Sequence, residues 1–501
     1  MDAIAFEHHL TSPQGHRRRP PDAHTATAGG AACCDEVEVS IGVDGGHVTG
    51  AGFDARGCGA ATAAGSAAVT LVGGRTILDA ARIGPAQIAA ELGGLSPGKL
   101  HAAELASDAL ARALGAAVRA SATIAACESA TIAAREHAAV APAPGGPERT
   151  LVAMSGGVDS AVAALLCARE GETVAVTLEL WSDPENDAER SCCSASAVAQ
   201  ARSLAHSMSL PHLTIDLRPE FEKGVVEPFI AAFAAGETPN PCVGCNGHVR
   251  LDAMIELADR LGCAHLATGH YARIAECEHP AGPLLRAAAD PAKDQTYMLA
   301  ALAPASLARL RFPLGELTKP EVREIAAGAG LSVANKLDSQ DLCFLAGTDR
   351  ARFIARHGGL GDQPGEIVDF GGQVLGLHQG HHRFTVGQRR GIGVTSGEPL
   401  YVLGKDAHTN RVMVGPSSAL ATTRVHVRAA RLHRTGARVD HVKLRYRSKA
   451  LPARLADELP AGRHPRLSIE LAEPASAVAP GQLACMMDGE IIIGWGTIGR
   501  R

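Results

Sequence analysis

Apolar residues fall at every second position from Val37 through Val39 and Ile41 to Val43, the period of a half-buried strand. Asp44-Gly45-Gly46 breaks the run and alternation resumes over 47–53, which predicts a β-hairpin. Alanine-rich segments at 60–72, 83–92 and 99–119 carry a helical period, so 33–120 reads as an α+β unit. Residues 1–32 show no apolar period and are expected to form a disordered leader. Residues 121–148, with a Pro/Gly run at 141–147, read as a helical and Pro/Gly linker. A second pattern opens with a strand at 150–154, a glycine turn, a helix at 160–169 and a strand at 173–178. It continues with a strand at 213–217, a helix at 250–261 and a strand at 264–268, the alternation of a parallel α/β sheet spanning 149–346. Short β-rich pieces follow at 373–377, 400–403, 412–414, 425–427, 442–446 and 490–493. They predict a small central domain at 347–420 and a β-barrel at 421–501.

Composition agrees with a multidomain chain: 501 residues correspond to roughly three domains. With 46% hydrophobic and 20% charged residues, general disorder is excluded, and with 3% aromatics the cores must rest on Ala, Val, Leu and Ile. The longest uncharged stretch, 57–74, lacks the bulky apolar residues of a membrane span. Arg17, Arg18 and Arg19 precede no apolar run of the kind a secretory signal needs, so a cytoplasmic protein with no membrane partner is expected. Thirteen cysteines, odd in number and partly clustered, point to a reducing compartment and to thiol or metal chemistry. The net charge of −5 argues against nucleic acid only as an average. Twelve Lys/Arg face three Asp/Glu between Arg424 and Arg466, and His381, His382, Arg383, Arg389 and Arg390 form a second basic cluster. A nucleic-acid contact surface is therefore expected in the C-terminal third.

Between the first strand and helix of the α/β unit stands Ser155-Gly156-Gly157-Val158-Asp159-Ser160. Two glycines let the backbone approach phosphates, the helix start supplies unpaired N–H groups, and two serines add hydroxyls. A Walker A loop would end in Gly-Lys-Ser/Thr; the acid at Asp159 suits a Mg²⁺ ion on a leaving pyrophosphate. The loop resembles the PP-loop of N-type ATP pyrophosphatases, which adenylate a substrate oxygen and release pyrophosphate.

Further segments narrow the resemblance: Thr238-Pro239-Asn240-Pro241-Cys242-Val243-Gly244-Cys245-Asn246, Gly269-His270-Tyr271-Ala272-Arg273, Lys293-Asp294-Gln295-Thr296-Tyr297, Asp338-Ser339-Gln340-Asp341-Leu342-Cys343-Phe344 and Phe384-Thr385-Val386-Gly387-Gln388-Arg389-Arg390-Gly391. Over nearly all of 149–501 the chain resembles the tRNA-specific 2-thiouridylases. The resemblance implies an adenine nucleotide alpha hydrolase-like PP-loop domain, a small middle domain and a β-barrel. It also implies ATP-dependent conversion of a wobble uridine of tRNA to 2-thiouridine, with a cysteine desulfurase or another persulfide donor as partner. Carried over residue by residue, Cys343 is the persulfide carrier and Cys245, at a helix start that favours a thiolate, the second thiol and nucleophile. Ala153, Met154, Ser155, Gly156, Gly157, Val158, Asp159, Ser160, Leu178 and Gly269 would surround ATP. Asn240, Pro241 and Cys242 would adjoin the target base, and His270, Lys293, Asp294, Gln295, Arg445, Tyr446 and Gln482 would contact tRNA.

Cys242 stands where some relatives carry Asp, so no general-base carboxylate transfers to that position. Cys242, Cys245 and Cys343 suit a persulfide and disulfide relay, three ligands of a [4Fe–4S] cluster, or a zinc or packing role, and all three readings stay open. Cys127, Cys167, Cys263, Cys277 and Cys485 read as small core residues, and Cys192 and Cys193 have no assignable role.

In the N-terminal unit Cys33, Asp35, Cys58 and His101 resemble the ligand set of NifU/IscU-type iron–sulfur scaffolds, with Ala102 where those carry a third cysteine. The set suits Zn²⁺ or a [2Fe–2S] centre, with Cys34 a substitute ligand, against a degenerate domain kept for docking. A tethered sulfur or cluster donor gains effective concentration at its consumer, so delivery from 33–120 to the Cys242, Cys245, Cys343 site is expected. Two rivals make different demands. A PP-loop enzyme for a small molecule with a structural zinc needs no basic surface, and a pure iron–sulfur scaffold needs no intact Ser155, Asp159 and Ser160.

Overall fold

The computed structural model describes residues 3–29, 34–120, 148–183, 194–275, 282–338, 342–476 and 478–500. The hairpin forms as its pattern requires: Glu36–Asp44 pairs antiparallel with His47–Arg56, and Gly45 and Gly46 both take positive φ (55° and 80°) in a two-residue turn. The predicted leader is instead part of the unit. Strand His24–Gly29 pairs with Glu36–Asp44 to complete a three-stranded sheet, and helix Ala3–Thr11 packs on helix Gly59–Val72. There His9 Nδ1 lies 2.8 Å from Ser66 Oγ, both side chains buried. The segment hid from its hydrophobic pattern because it docks through histidine and small residues. The helix expected at 83–92 forms over Pro85–Glu91, with proline at its first turn, and a separate short helix, Ile77–Ala80, precedes it. Helix Leu100–Ala120 buries an alanine stripe (Ala102, Ala103, Ala106, Ala109, Ala113, Ala117) as the scarcity of aromatics demands.

The second unit is a five-stranded parallel sheet in the order Leu310–Arg311, His265–Thr268, Thr150–Ala153, Thr173–Glu179, His212–Asp216. Its edge strand His212–Asp216 is covered by the N-terminal unit, which removes an exposed edge. A Cβ on Gly115 would stand 2.1 Å from the Thr214 carbonyl oxygen, so only glycine lets this helix lie so close to the strand. Ion pairs Arg112–Glu179, Arg202–Asp108 and Arg119–Glu220 line the seam, and the His212 amide donates to Ala81 O at 3.0 Å. The linker run at 141–147 lies outside the described residues.

Beyond it, strands Val374–His378, Gly365–Val368, Arg411–Gly415 and Tyr401–Asp406 form a four-stranded sheet. Six strands then close a barrel, because Thr422–Leu432 pairs with both Gly462–Ala475 and Ile491–Ile498. Strand Leu284–Arg286 of the α/β unit joins the barrel at Ile491. The strand expected at 442–446 ends at Lys443. Cys167, Cys263 and Cys485 are buried core residues; burial pushes the first two thiols up to about 12 and Cys485 higher still. Cys127, Cys192, Cys193 and Cys277 lie outside the described residues. Among the described residues no helix is long and apolar enough to cross a membrane.

Candidate functional site

Strand Thr150–Ala153 runs straight into the glycine loop and helix Val158–Glu170, at the carboxyl ends of the parallel strands, where α/β sheets bind ligands. Gly156 has φ 70°, and a Cβ there would meet Ala197 O at 2.6 Å. The loop is pinned from within: the Ser155 amide donates to Ser160 Oγ at 3.1 Å, which donates to Gly157 O at 3.1 Å. Gly269 ends the neighbouring strand so close that a Cβ would lie 2.7 Å from Ser160 N. Met154, Val158 and Leu178 are buried beneath the loop and Ala153 is half-buried. The expected nucleotide residues thus converge on one cradle.

Asp159 does not stand alone. Its Oδ1 accepts from Tyr271 OH at 2.9 Å and from Lys319 Nζ at 2.6 Å. Lys319 Nζ also lies 2.9 Å from Asp338 Oδ1, whose other contacts are Lys293 Nζ at 2.6 Å and Arg323 at 3.2 Å. Burial opposes the Asp338 charge, but hydrogen bonds from Lys293 and Lys319 overcome it and hold the carboxyl at about 2. Lys336 Nζ donates to Gly156 O at 3.0 Å. Sequence reasoning missed Lys319 and Lys336: Thr318-Lys319-Pro320-Glu321 reads only as a helix start, and a capping box is what it forms.

The thiol-bearing loop enters at Asn240, whose Oδ1 accepts from the Cys242 amide at 3.1 Å and starts the helical turn Pro241–Gly244. Cys242, not Cys245, therefore sits at the helix start. Cys245 lies a turn inside, opening a π-helical turn Cys245–Arg250 that leads into Leu251–Arg260. Such π-helical turns are frequent at functional positions. Cys245 is buried; Cys242 and Cys343 are half-buried. Cys245 and Cys343 pack into one apolar core, where Phe344 stacks among Phe221, Phe229 and Phe353. The three sulfurs do not form a mutually close group of the kind seen in the N-terminal unit.

Several expected tRNA contacts are occupied internally. Asp294 accepts from Thr296 and from Lys443 Nζ at 3.0 Å, Gln295 Oε1 accepts from the Tyr271 amide, and Gln482 donates to Thr238 O at 2.6 Å. Of these, Lys443–Asp294 ties the barrel to the α/β unit and Gln482–Thr238 ties it to the thiol loop. His270 Nδ1 lies 2.8 Å from Thr268 Oγ1, and burial with the Arg250 charge pushes it down to about 3, leaving a neutral ring. Arg445 is exposed, and Tyr446 is half-buried with its ring 6.5 Å from that of Tyr297.

The segment before Asn240 is gripped by both later domains. His381 Nε2 reaches Ala234 O at 3.2 Å, Arg500 donates to Ala235 O, Arg428 pairs with Glu237, and Lys405 donates to Phe384 O at 2.8 Å beside Glu237 O. Burial, with Arg350 and Arg500, lowers Lys405 to about 7 against the pull of Glu237. A lysine whose folded pKa lies below its unfolded value costs stability while both states are charged and recovers it as pH rises through the folded pKa. The Tm of the wild-type chain, measured against Lys405→Met, is therefore expected to climb between pH 7 and 9.5, by about 1 kcal/mol per pH unit in stability. A difference that stays flat over that range rejects the assignment.

In the N-terminal unit Cys58 Sγ lies 3.1 Å and His101 Nε2 2.8 Å from Asp35 Oδ2, the one cluster among the described residues whose spacing could hold a metal ion. Hydrogen bonds from His101 and then Cys58 lower the buried Asp35 carboxyl below its usual range. His101 Nδ1 faces Gly98 O at 3.1 Å, so both ring nitrogens face oxygens and a cation on Nε2 would satisfy imidazole and carboxylate together. Sulfur, nitrogen and oxygen donors at this spacing fit a four-coordinate divalent ion such as Zn²⁺ with one further ligand. Ala102 is fully buried, so no thiolate replaces it, and Cys34 is exposed beside Asp35. Cys33 lies outside the described residues.

Residues 7–121 match the family described as NifU-like N terminal domain and 148–347 the tRNA methyl transferase HUP domain. Residues 351–416 match the tRNA methyl transferase PRC-barrel domain and 418–498 the aminomethyltransferase beta-barrel domain. A bifunctional protein NifU/MnmA of Rubrobacter xylanophilus is 42% identical over 98% of this chain and 97% of its own. The tRNA-specific 2-thiouridylases MnmA of Solibacter usitatus (41% identical, 70% of this chain, 100% of theirs) and Acidithiobacillus ferrooxidans (42%, 70% and 98%) match the part after the N-terminal unit.

Proposed function

Since this chain belongs to the tRNA-specific 2-thiouridylase family, in the branch that carries a NifU-like N-terminal domain, we propose that it converts a uridine of tRNA to 2-thiouridine at the expense of ATP. The reading is carried by one observation: at the carboxyl ends of the parallel strands a glycine and serine phosphate loop places Asp159 on Lys319, which it shares with Asp338, five residues before Cys343 in the sequence. The 2-oxo oxygen of uridine attacks the α-phosphorus, the bond to the β-phosphate breaks, and pyrophosphate leaves. The loop amides, Ser155, Ser160 and Lys319 hold the phosphates, and Asp159 would hold Mg²⁺, which neutralises charge on the leaving group. The outer sulfur of a persulfide on Cys343 then attacks C2 and AMP departs with the oxygen. The Cys245 thiolate attacks the inner sulfur, so the sulfur–sulfur bond electrons pass to the base as its thiocarbonyl and a Cys245–Cys343 disulfide forms. An external thiol reductant resets the pair and a persulfide donor such as a cysteine desulfurase reloads Cys343.

Three of the family descriptions speak of methyl or aminomethyl transfer, but a phosphate cradle with thiols nearby in the fold suits adenylation and sulfur transfer instead. The basic barrel supports a grip on tRNA phosphates: Arg424 and Arg454 are exposed and share a single carboxylate, Glu470. The Asp35–Cys58–His101 group supports metal or cluster binding by the N-terminal unit. Incubation with ATP, Mg²⁺, a persulfide donor and unmodified tRNA, followed by nucleoside mass analysis, is expected to yield 2-thiouridine with one pyrophosphate per modified base. Pyrophosphate without 2-thiouridine, or neither, refutes the reading.

A further inference from the structure

The seam between the N-terminal unit and the α/β unit buries charge, which is costly unless each member is paired. Glu179 is 9% exposed and Arg202 4%, and both are paired by helix Leu100–Ala120 of the N-terminal unit. Arg112 donates to Glu179, its Nε donates to Asp108 Oδ1 at 3.1 Å, and Arg202 donates to that same oxygen. Asp108 and Arg112 stand one turn apart, so one face of the helix closes an alternating quartet, Glu179–Arg112–Asp108–Arg202. Burial raises the Glu179 carboxyl above its usual range against the pull of Arg112, so its ionisation leans on that guanidinium.

Both ends of the quartet lie on elements of the phosphate cradle. Glu179 directly follows Leu178 on the strand beside Thr150–Ala153, and the Met154 amide, at the entry to the loop, donates to Val176 O of that strand at 2.8 Å. Arg202 belongs to helix Ala195–Ser207, which forms one wall of the loop. A Cβ on Gly156 would meet Ala197 O of this helix at 2.6 Å, and Lys336, which donates to Gly156 O at 3.0 Å, also donates to Gln200 Oε1. Ala197 and Gln200 thus face the loop while Arg202 faces the N-terminal unit, and the helix is clamped between them.

We propose that Asp108 and Arg112 are positioning residues of the nucleotide site, through which the N-terminal unit holds helix Ala195–Ser207 and the end of strand Thr173–Glu179 against the phosphate loop. A shift of about 1 Å in such a wall is enough to spoil the geometry of a bound phosphate. The N-terminal unit is thereby part of the ATP site, whatever it carries at Asp35, Cys58 and His101. The inference rests on the nucleotide reading of the loop but neither on thiolation of tRNA nor on sulfur delivery.

The test compares Asp108→Ala and Arg112→Met with Arg119→Met, whose lost ion pair with Glu220 belongs to the same helix and seam but not to the cradle. Two quantities are read in the full chain, well below the melting temperature of the least stable variant. One is the calorimetric affinity for the α,β-methylene analogue of ATP with Mg²⁺; the other is amide hydrogen exchange over 154–160 without nucleotide. Asp108→Ala and Arg112→Met are expected to weaken analogue binding by about tenfold or more and to speed exchange of the loop by about fivefold or more. Arg119→Met is expected to match wild type in both, and Asp108→Asn, which keeps the acceptor oxygen, to restore part of each. Because Arg112→Met leaves a buried acid, the double variant Arg112→Met/Glu179→Gln serves as the folded control and is expected to lose affinity likewise. Wild-type affinity and exchange in Asp108→Ala and Arg112→Met overturn the inference, and so do equal losses in Arg119→Met, which would make the effect one of general stability. A wild-type chain that binds no analogue refutes the nucleotide reading instead, and exchange of the loop then decides the positioning role by itself.

Discussion

Cys343→Ser is expected to reduce 2-thiouridine formation by about 10³-fold or more while leaving one burst of pyrophosphate per active site, because adenylation needs the phosphate loop and sulfur transfer needs the thiol. The two halves are held by different atoms. The loop is braced by Ser155, Ser160 and Asp159, whereas Cys343 adjoins Phe344 in its aromatic nest. Cys245→Ser is expected to be as silent in product yet to retain labelled sulfur on Cys343, since the acceptor of the inner sulfur is gone. Rapid-quench measurement of pyrophosphate, beside nucleoside analysis, separates the two. If Cys343→Ser forms 2-thiouridine at the wild-type rate, the carrier assignment is wrong. If Cys242→Ser removes both product and iron from anaerobically prepared protein, the three thiols hold a cluster instead.

The parallel strands were legible because burial on both faces leaves continuous apolar runs such as Thr173–Glu179, and the phosphate loop because its backbone geometry demands glycine. What escaped was long-range pairing. Lys319 and Asp159 are 160 positions apart, and neither helix period nor spacing signals that a capping residue's neighbour will reach across the sheet. The helix start expected at Cys245 lies one turn earlier, because Asn240 caps the turn that begins at Pro241 and Cys242. Residues 3–29 escaped for the opposite reason, since a helix and strand that dock through histidine and alanine leave no apolar signature.

Hand-off within one chain from the Asp35–Cys58–His101 group to Cys343, if the N-terminal unit delivers sulfur or a cluster, has to cross the seam between the two units. Helix Leu100–Ala120 serves as a ruler: His101 stands in its first turn, while Arg119 in its last pairs with Glu220. Glu220 adjoins Phe221, whose ring lies 5.9 Å from that of Phe344, the neighbour of Cys343. At 1.5 Å per residue His101 and Arg119 stand about 27 Å apart along the helix. The helix cannot swing freely, since Gly115 lies against the Thr214 carbonyl and three ion pairs fasten the seam. Tethering raises effective concentration only if geometry permits both ends to meet. A Cys58→Ser chain and a Cys343→Ser chain, each silent when sulfur must enter through the N-terminal group, are therefore expected to recover 2-thiouridine formation when mixed, at a rate that rises with total protein. Single variants and mixtures at several concentrations, supplied with the same donor, provide the measurement. Recovery independent of concentration would mean transfer inside a preformed assembly, and no recovery would mean that the seam opens within one chain. Should Cys58→Ser alone thiolate tRNA as fast as wild type with every sulfur source, the N-terminal unit delivers nothing, and the Asp35–Cys58–His101 group serves another purpose.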